Sequence, residues 1–179
     1  LKAVMLEYVC TKMNLPVDVD FDNNNFFKEL KPLEYDYDVS IDYIKCTKIA
    51  SGEPGSENEI FGNIAFTYDG KETKVWERDE DNTLSLMKDN EMPIRLRDPF
   101  KITMAKGKQG VLKVSGHLYE EDTDYGLVGD DDDLGPQNTS FILHEIGNEP
   151  KSDYLEFSHD GDEVEVKITI NKTLKQVSY

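Results

Sequence analysis

Residues 60–76 read IFGNIAFTYDGKETKVW, two alternating runs on either side of Tyr68-Asp69-Gly70-Lys71. Asp-Gly accepts the positive φ angles of a tight hairpin turn, so this dipeptide between alternating runs predicts a β-hairpin. His159-Asp160-Gly161-Asp162 repeats the signal between YLEF and EVEVKITI, and residues 106–110 mark another turn. Short strands at such intervals predict an antiparallel β-sandwich.

Upstream of this hairpin, the sequence alternates in the same way. Tyr35, Tyr37, Val39, Ile41 and Tyr43 recur with a period of two, which would place one set of side chains on a core face. The only tryptophan, at position 76, continues the strand phase of its run, and we expect it in the core. The predicted sandwich occupies residues 35–179.

Residues 1–34 are predicted to form an N-terminal arm or the remnant of an upstream domain. Within them, NNNFFKELK predicts one short helix, capped by Asn23 or Asn24 and stopped by Pro32. The chain opens on Leu1 with no signal segment, so we expect it to be a piece of a larger protein that contributes further upstream domains. The two cysteines, Cys10 and Cys46, allow either one disulfide or two buried thiols.

Composition excludes several functions. The 179 residues include 37% hydrophobic residues, enough for a core, and the net charge of −17 opposes binding to nucleic acid. No apolar run approaches the ~20 residues of a membrane-spanning helix. The three histidines lack the spacing of zinc ligands, and nucleotide-binding and nucleophile motifs are absent. We therefore expect a protein that is not an enzyme.

The strongest local signal is acidic. Residues 119–135 read YEEDTDYGLVGDDDDLG and contain eight carboxylates. Carboxylates brought within a few ångströms repel one another by about 1 kcal/mol per pair in water and more where water is excluded. Ca²⁺ would relieve this repulsion, since it takes six to eight oxygen ligands from a flexible loop. A solvated acidic turn is the alternative, and spacing alone does not separate the two.

The sequence on either side of this acidic loop follows a recognisable order. The strand Gly110–Leu118 leads into an acidic tip and then Asp133-Leu134-Gly135, an order that resembles the third calcium loop of C2 domains. Residues 53–61, with two acids six apart before an aromatic residue, resemble the first C2 loop. The resemblance covers about residues 38–172 and implies a C2-like sandwich. The calcium ligands that it implies are Asp122, Asp124, Asp130, Asp132, Glu53 and Glu59.

In that family, calcium neutralises the loops and lets their tip meet membrane lipid. The resemblance therefore implies calcium-dependent membrane docking, with Tyr125, Leu127 and Val128 at the tip. Those three side chains would otherwise pack locally on the domain. The calcium-rich outside of cells suits such a module, so we expect it to be secreted or at the cell surface, as part of a larger and possibly pore-forming protein. The sequence leaves the oligomeric state open.

Two other functions stay open. An extracellular adhesion or carbohydrate-binding sandwich would use calcium only to rigidify its loops. A purely structural domain would not need calcium at all. The first alternative predicts that calcium raises the melting temperature without promoting liposome binding, and the second predicts neither response.

Overall fold

The computed structural model describes residues 33–50, 57–121 and 131–175. They form an antiparallel β-sandwich, which confirms the predicted fold class. The predicted helix and residues 1–32 lie outside the described residues. In chain order the strands are β1 (Glu34–Lys48), β2 (Glu57–Tyr68), β3 (Lys71–Arg78), β4 (Leu84–Met87), β5 (Glu91–Pro93), β6 (Phe100–Ala105), β7 (Val111–Glu120), β8 (Asp132–Ile142), β9 (Lys151–His159) and β10 (Asp162–Leu174).

The strands form two antiparallel sheets of five strands each. In each sheet, two of the five strands pair with the same edge of one long strand. In the first sheet β1 pairs with β10, which pairs with β9, and the other edge of β1 carries β5 and β6 in succession. In the second sheet β2 pairs with β7, which pairs with β8, and the other edge of β2 carries β3 and β4. This two-sheet arrangement is the kind of body that the C2 resemblance implies.

The core lies between the two sheets. Alternate residues of the long strands face it, so that Val164, Val166, Ile168 and Ile170 of β10 are all buried. Contacts cross between the sheets: the rings of Phe66 on β2 and Phe100 on β6 meet edge to face, with centroids 5.1 Å apart. Trp76 belongs to the same core, as its strand phase predicted.

Both Asp-Gly hairpins form. Asp69 and Gly70 have φ angles of 51° and 73°, and Asp160 and Gly161 have φ angles of 38° and 119°. Two successive positive φ angles characterise the turns whose twist matches that of paired strands. The turn at residues 106–110 differs, because it joins β6 of the first sheet to β7 of the second and so forms no hairpin.

The alternation in β1 breaks at Tyr43. The strand pairing has an irregularity between Ile41 and Tyr43, so Ile44 instead of Tyr43 faces the core. The Tyr43 hydroxyl donates a hydrogen bond to Glu165 Oε1 at 2.8 Å on the outer face of the sheet. The prediction that Tyr43 shares the core face of Tyr35 to Ile41 is therefore wrong at its last residue.

Cys46 is fully buried and carries a free thiol, whereas Cys10 lies outside the described residues. Burial raises the pKa of the Cys46 thiol to about 11. Within the described ranges, no helix has both the length and the apolar character needed to cross a membrane.

Candidate metal centre

One end of the sandwich collects acidic residues from separate segments. Ile60 of β2 pairs with Glu120 of β7, which in turn pairs with Asp132 of β8. The start of β2, the end of β7 and the start of β8 therefore meet there, together with the turn that begins β10. We call this the acidic end. Its described acids are Glu57, Glu59, Glu80, Asp81, Glu120, Glu121, Asp131, Asp132, Asp133, Asp160, Asp162 and Glu163.

Like charges crowd around Glu121. Its backbone N–H donates to the carbonyl oxygen of Glu59 at 2.8 Å, which ties the end of β7 to the start of β2. Burial raises the pKa of the Glu121 carboxyl, and the neighbouring carboxylates of Glu59 and Asp131, and then of Glu80 and Asp81, raise it further. Carboxylates from four separate segments thus repel one another at this end.

Two histidines contact the start of β8. His117 Nε2 lies 2.6 Å from Asp133 Oδ1, which also accepts the Gly135 N–H at 2.8 Å. These two contacts, that of His117 first, lower the pKa of Asp133. His159 Nε2 lies 3.8 Å from Asp132 Oδ1 and 3.4 Å from Asp160 Oδ2. Asp133 is thus held by protein donors, while Asp132 has one distant histidine.

The residues predicted as calcium ligands are only partly described. Glu59 and Asp132 both lie at the acidic end, on β2 and β8. Glu53, Asp122, Asp124 and Asp130 lie outside the described residues. So do the predicted membrane tip residues, Tyr125, Leu127 and Val128. The assignment of all these residues stays a prediction.

The described residues alone do not form a metal site. Among residues 33–50, 57–121 and 131–175, no group of three or more His, Cys, Asp or Glu side chains is placed to hold an ion. Within the same ranges, no lysine, arginine or histidine forms an ion pair with Glu59, Glu121 or Asp131. Within these ranges, the acidic end therefore has carboxylates that no cationic side chain neutralises. A complete calcium site would also need ligands from the adjoining segments.

Comparison with known proteins gives matches among solved structures. The chain matches no protein-family model and no curated protein. Among solved structures it is similar to human GIVD cytosolic phospholipase A2, at 12% identity over 79% of this chain and 16% of that one, with a TM-score of 0.39. The same enzyme in complex with methyl gamma-linolenyl fluorophosphonate and terbium chloride gives 14% identity over 79% and 18%, with a TM-score of 0.37. This chain spans less than a fifth of the phospholipase chains, and similarity at this level carries no argument about activity.

Sequence reasoning missed three polar residues that face the interior at the acidic end. Asn58, Glu120 and Asp162 are all buried. The signal was present, because each continues the inward phase of its strand: Asn58 before Ile60, Glu120 after Leu118, and Asp162 before Val164. A polar residue at a core-phase position near a strand end indicates a buried contact, and the fold gathers three of them beneath the acidic segments.

Proposed function

We propose that this chain is a calcium-binding module that docks onto membrane lipid when calcium is bound. One observation carries the proposal: separate chain segments bring carboxylates together around Glu59, Glu121 and Asp131, and these carboxylates lack cationic partners in the described part of the chain. In the absence of a counter-ion, such carboxylates repel one another by about 1 kcal/mol per pair in water-like surroundings. A divalent cation is the simplest group that removes the repulsion.

Calcium suits the donors better than other common cations. The available ligands are carboxylate oxygens on segments of different length, and Ca²⁺ accepts six to eight such oxygens in irregular geometry. Mg²⁺ demands near-octahedral geometry and retains its water, and zinc prefers nitrogen and sulfur ligands. In this proposal Glu59 and Asp132 bind calcium together with Glu53, Asp122, Asp124 and Asp130.

Calcium would act on the membrane through charge. Each ion cancels two negative charges at the acidic end, which otherwise repels anionic headgroups. Tyr125, Leu127 and Val128 would then enter the headgroup region, each contributing about 1.5–3 kcal/mol if fully buried. Membrane affinity would be confined to this tip because the chain as a whole carries a net charge of −17. The module would work without catalysis, at the cell surface or outside the cell, within a larger protein.

Calorimetric titration of calcium into the metal-stripped chain tests the site. We expect saturable binding, and we expect Glu59→Gln combined with Asp132→Asn to weaken it by at least about tenfold, because two ligands lose their charge. Glu145→Gln with Glu149→Gln is the matched control, since both acids lie in the connection at the opposite end and should leave the isotherm unchanged. Absence of binding by the wild type at millimolar calcium would overturn the proposal.

Liposome sedimentation tests the docking. The wild type should sediment with phosphatidylcholine–phosphatidylserine vesicles when calcium is added, and Leu127→Ser with Val128→Ser should reduce this at least about tenfold. Val111→Ser with Ile142→Ser is the control, because these exposed apolar residues pair at the opposite end. If calcium raises the melting temperature but no vesicles are bound, then calcium is only structural and the adhesion alternative is supported.

A further inference from the structure

Two buried side-chain oxygens at the acidic end receive no hydrogen bond. Asn58, the second residue of β2, and Asp162, the first residue of β10, expose 0% and 1% of their surface. Asn58 Nδ2 donates to Asp162 Oδ1 at 2.6 Å, and the Ala50 N–H donates to the same oxygen at 3.1 Å. No group in the described part of the chain donates to Asn58 Oδ1 or to Asp162 Oδ2. Buried polar atoms in native proteins almost always have a partner, so these two oxygens indicate a bound group.

A third polar side chain, that of Glu120, faces the same part of the interior. Glu120 is 2% exposed and pairs with Ile60 of β2, and Asn58 lies two residues before Ile60 on the same face. Such diagonal neighbours are within reach of a long side chain. Glu120 Oε1 accepts the N–H of Glu59, the residue after Asn58, at 3.4 Å, which places its carboxylate beside the main chain of Asn58. Side chains from β2, β7 and β10 thus meet in the interior.

The charge of Asp162 lacks a cationic partner in the described part of the chain. Within residues 33–50, 57–121 and 131–175, no lysine, arginine or histidine forms an ion pair with it. Both of its hydrogen-bond donors are neutral amides. A buried carboxylate without a cation is costly, and the second carboxylate, on Glu120, adds repulsion. A dication would balance the charge of the two carboxylates, which a water molecule would not do.

We propose that Asn58, Glu120 and Asp162 form a buried cation site that takes Ca²⁺ through side-chain oxygens. Zinc prefers nitrogen and sulfur ligands, and Mg²⁺ gives up its water reluctantly, whereas Ca²⁺ accepts carboxylate and amide oxygens in irregular geometry. Water completes the coordination of the ion. The trio contains only two carboxylates, so it differs from the groups of three or more acids, histidines or cysteines that the described ranges lack.

This buried site is separate from the proposed outer calcium site. It shares no ligand with that site, whose described ligands are Glu59 and Asp132. Its ligands come from both sheets, because β2 and β7 belong to the second sheet and β10 belongs to the first. The buried ion therefore links the two sheets at the acidic end, and its effect is on stability rather than on membrane docking.

Melting temperatures in chelator and in calcium test the buried site. The background is Glu59→Gln with Asp132→Asn, which removes two ligands of the outer site. With three protein ligands we expect a dissociation constant of about 0.1 mM, so that 1 mM CaCl₂ raises the melting temperature of this background by roughly 3–6 °C. MgCl₂ at the same concentration, the control for ionic strength, should give a smaller rise. Adding Asp162→Asn or Glu120→Gln should weaken binding about tenfold and leave a rise of only about 1 °C.

The sign of the Asp162→Asn effect separates a bound cation from a merely structural contact. An asparagine keeps an acceptor oxygen for the N–H groups of Asn58 and Ala50 and removes the buried charge. In chelator the variant should therefore melt at or above the temperature of its background, and in calcium it should melt below it. A trio that holds only water, or that is only structural, gives the same order of melting temperatures in both solutions. That result would overturn the proposal.

Further variants complete the test. Asp36→Asn, which changes a hydrogen-bonded aspartate at the opposite end of β1, should shift the melting temperature equally in both solutions. Should Asp162→Asn fail to fold, Glu120→Gln and Asn58→Leu, each of which removes one ligand, are compared in the same way. If the wild type responds to calcium but the Glu59→Gln, Asp132→Asn background does not, the buried site is wrong and the proposed outer site stands. If the background responds fully and calorimetry finds no further calcium in the wild type, the outer site fails and the buried site stands.

Discussion

Gly62 occupies a position in β2 that no other residue fits. Its φ angle is +123°, and a Cβ atom there would lie 2.1 Å from the carbonyl oxygen of His117 on β7. We expect Gly62→Ala to lower the free energy of unfolding by at least about 2 kcal/mol, because it combines backbone strain with a clash against a neighbouring strand. Urea denaturation measures this directly.

Gly147→Ala provides the comparison for this prediction. Gly147 has open space around its Cβ position and no positive φ angle. The substitution should be neutral or slightly stabilising, since alanine restricts the unfolded chain more than glycine does. Equal stability losses at the two positions would show that the close approach of β2 to β7 does not limit the residue at position 62.

Cys46 should be chemically silent in the native protein. With a pKa of about 11, the thiol is ionised in only about one molecule in a thousand at pH 8, and its side chain has no exposed surface. In a Cys10→Ser variant, Cys46 is the only thiol in the chain. We expect a thiol reagent to label this variant fully in denaturant and hardly at all without it. Rapid labelling of the native protein would contradict the buried position.

At the residue scale, sequence predicts a side chain's face only as long as the strand stays regular. Val39 and Ile41 lie in the core as the alternation predicted, whereas Tyr43 does not, because the strand slips by one residue between Ile41 and Tyr43. The residue types next to this irregularity do not predict it. The Asp-Gly signal at residues 159–162 predicts a turn that includes Asp162, whereas the inward phase of Val164 and Val166, extended backward by one step, places Asp162 in the interior, where the structure has it.

Among the elements, the edge of the first sheet is held by polar contacts. Asp36 on β1 accepts a hydrogen bond from the Thr103 hydroxyl on β6 at 2.6 Å, and Lys101 Nζ lies 3.6 Å from its other oxygen. The Thr103 hydrogen bond and then the Lys101 charge lower the pKa of Asp36. The same lysine lies 3.3 Å from Asp38, so it bridges two outward residues of β1.

The contacts of Asp36 make the stability of the protein depend on pH in a defined way. Because the pKa of Asp36 is lower in the folded than in the unfolded chain, its stabilising effect is complete above the unfolded pKa of about 3.9 and is lost as the pH falls through the folded value. We therefore expect the wild type to be more stable than Asp36→Asn at pH 6, and the difference to shrink below about pH 4. Urea midpoints measured from pH 6 to pH 2.5 test this.

Two further variants test whether the Asp36 contacts cause this pH dependence of stability. Thr103→Val removes the largest contribution to the pKa shift and should reduce the pH dependence of the difference in the same window. Asp98→Asn, an exposed aspartate outside the strands, should follow the wild type at every pH. A gap between wild type and Asp36→Asn that stays constant down to pH 2.5 would contradict the assigned contact.

The residue types of the turns predicted where strands end, but they did not predict which strands pair with each other. Asp69-Gly70 and Asp160-Gly161 join neighbouring strands of one sheet, as their residue types indicated. The turn at residues 106–110 has similar chemistry yet carries the chain from one sheet to the other. The difference arises because β6 pairs with β1 and β7 pairs with β2. These partner strands lie far away in the sequence, so the local residue preferences of the turn do not predict them.

On the scale of the whole molecule, the net charge is distributed unevenly. The chain carries −17 overall, and the two sheets gather acids from β2, β7, β8 and β10 at one end, while Lys71, Lys106 and Lys108 lie at the other. The sequence predicted the acidic loop and the sandwich separately. It did not predict that Glu80 and Asp81 would come close to Glu121, because that proximity depends on how β3 and β4 share one edge of β2.

This charge distribution predicts two separable responses to salt. In a chelator, raising NaCl from 10 mM to 0.1 M shortens the screening length from about 30 to 10 Å, so the melting temperature should rise as repulsion at the acidic end weakens. Adding 1 mM CaCl₂ at 0.1 M NaCl hardly changes ionic strength, yet a site with a dissociation constant of about 10 μM would add about 2.7 kcal/mol, or roughly 5–10 °C. MgCl₂ at the same concentration should give a much smaller rise, because it does not accept irregular carboxylate geometry. Equal rises with both cations would mean that screening alone acts on the acidic end and that no calcium site exists there.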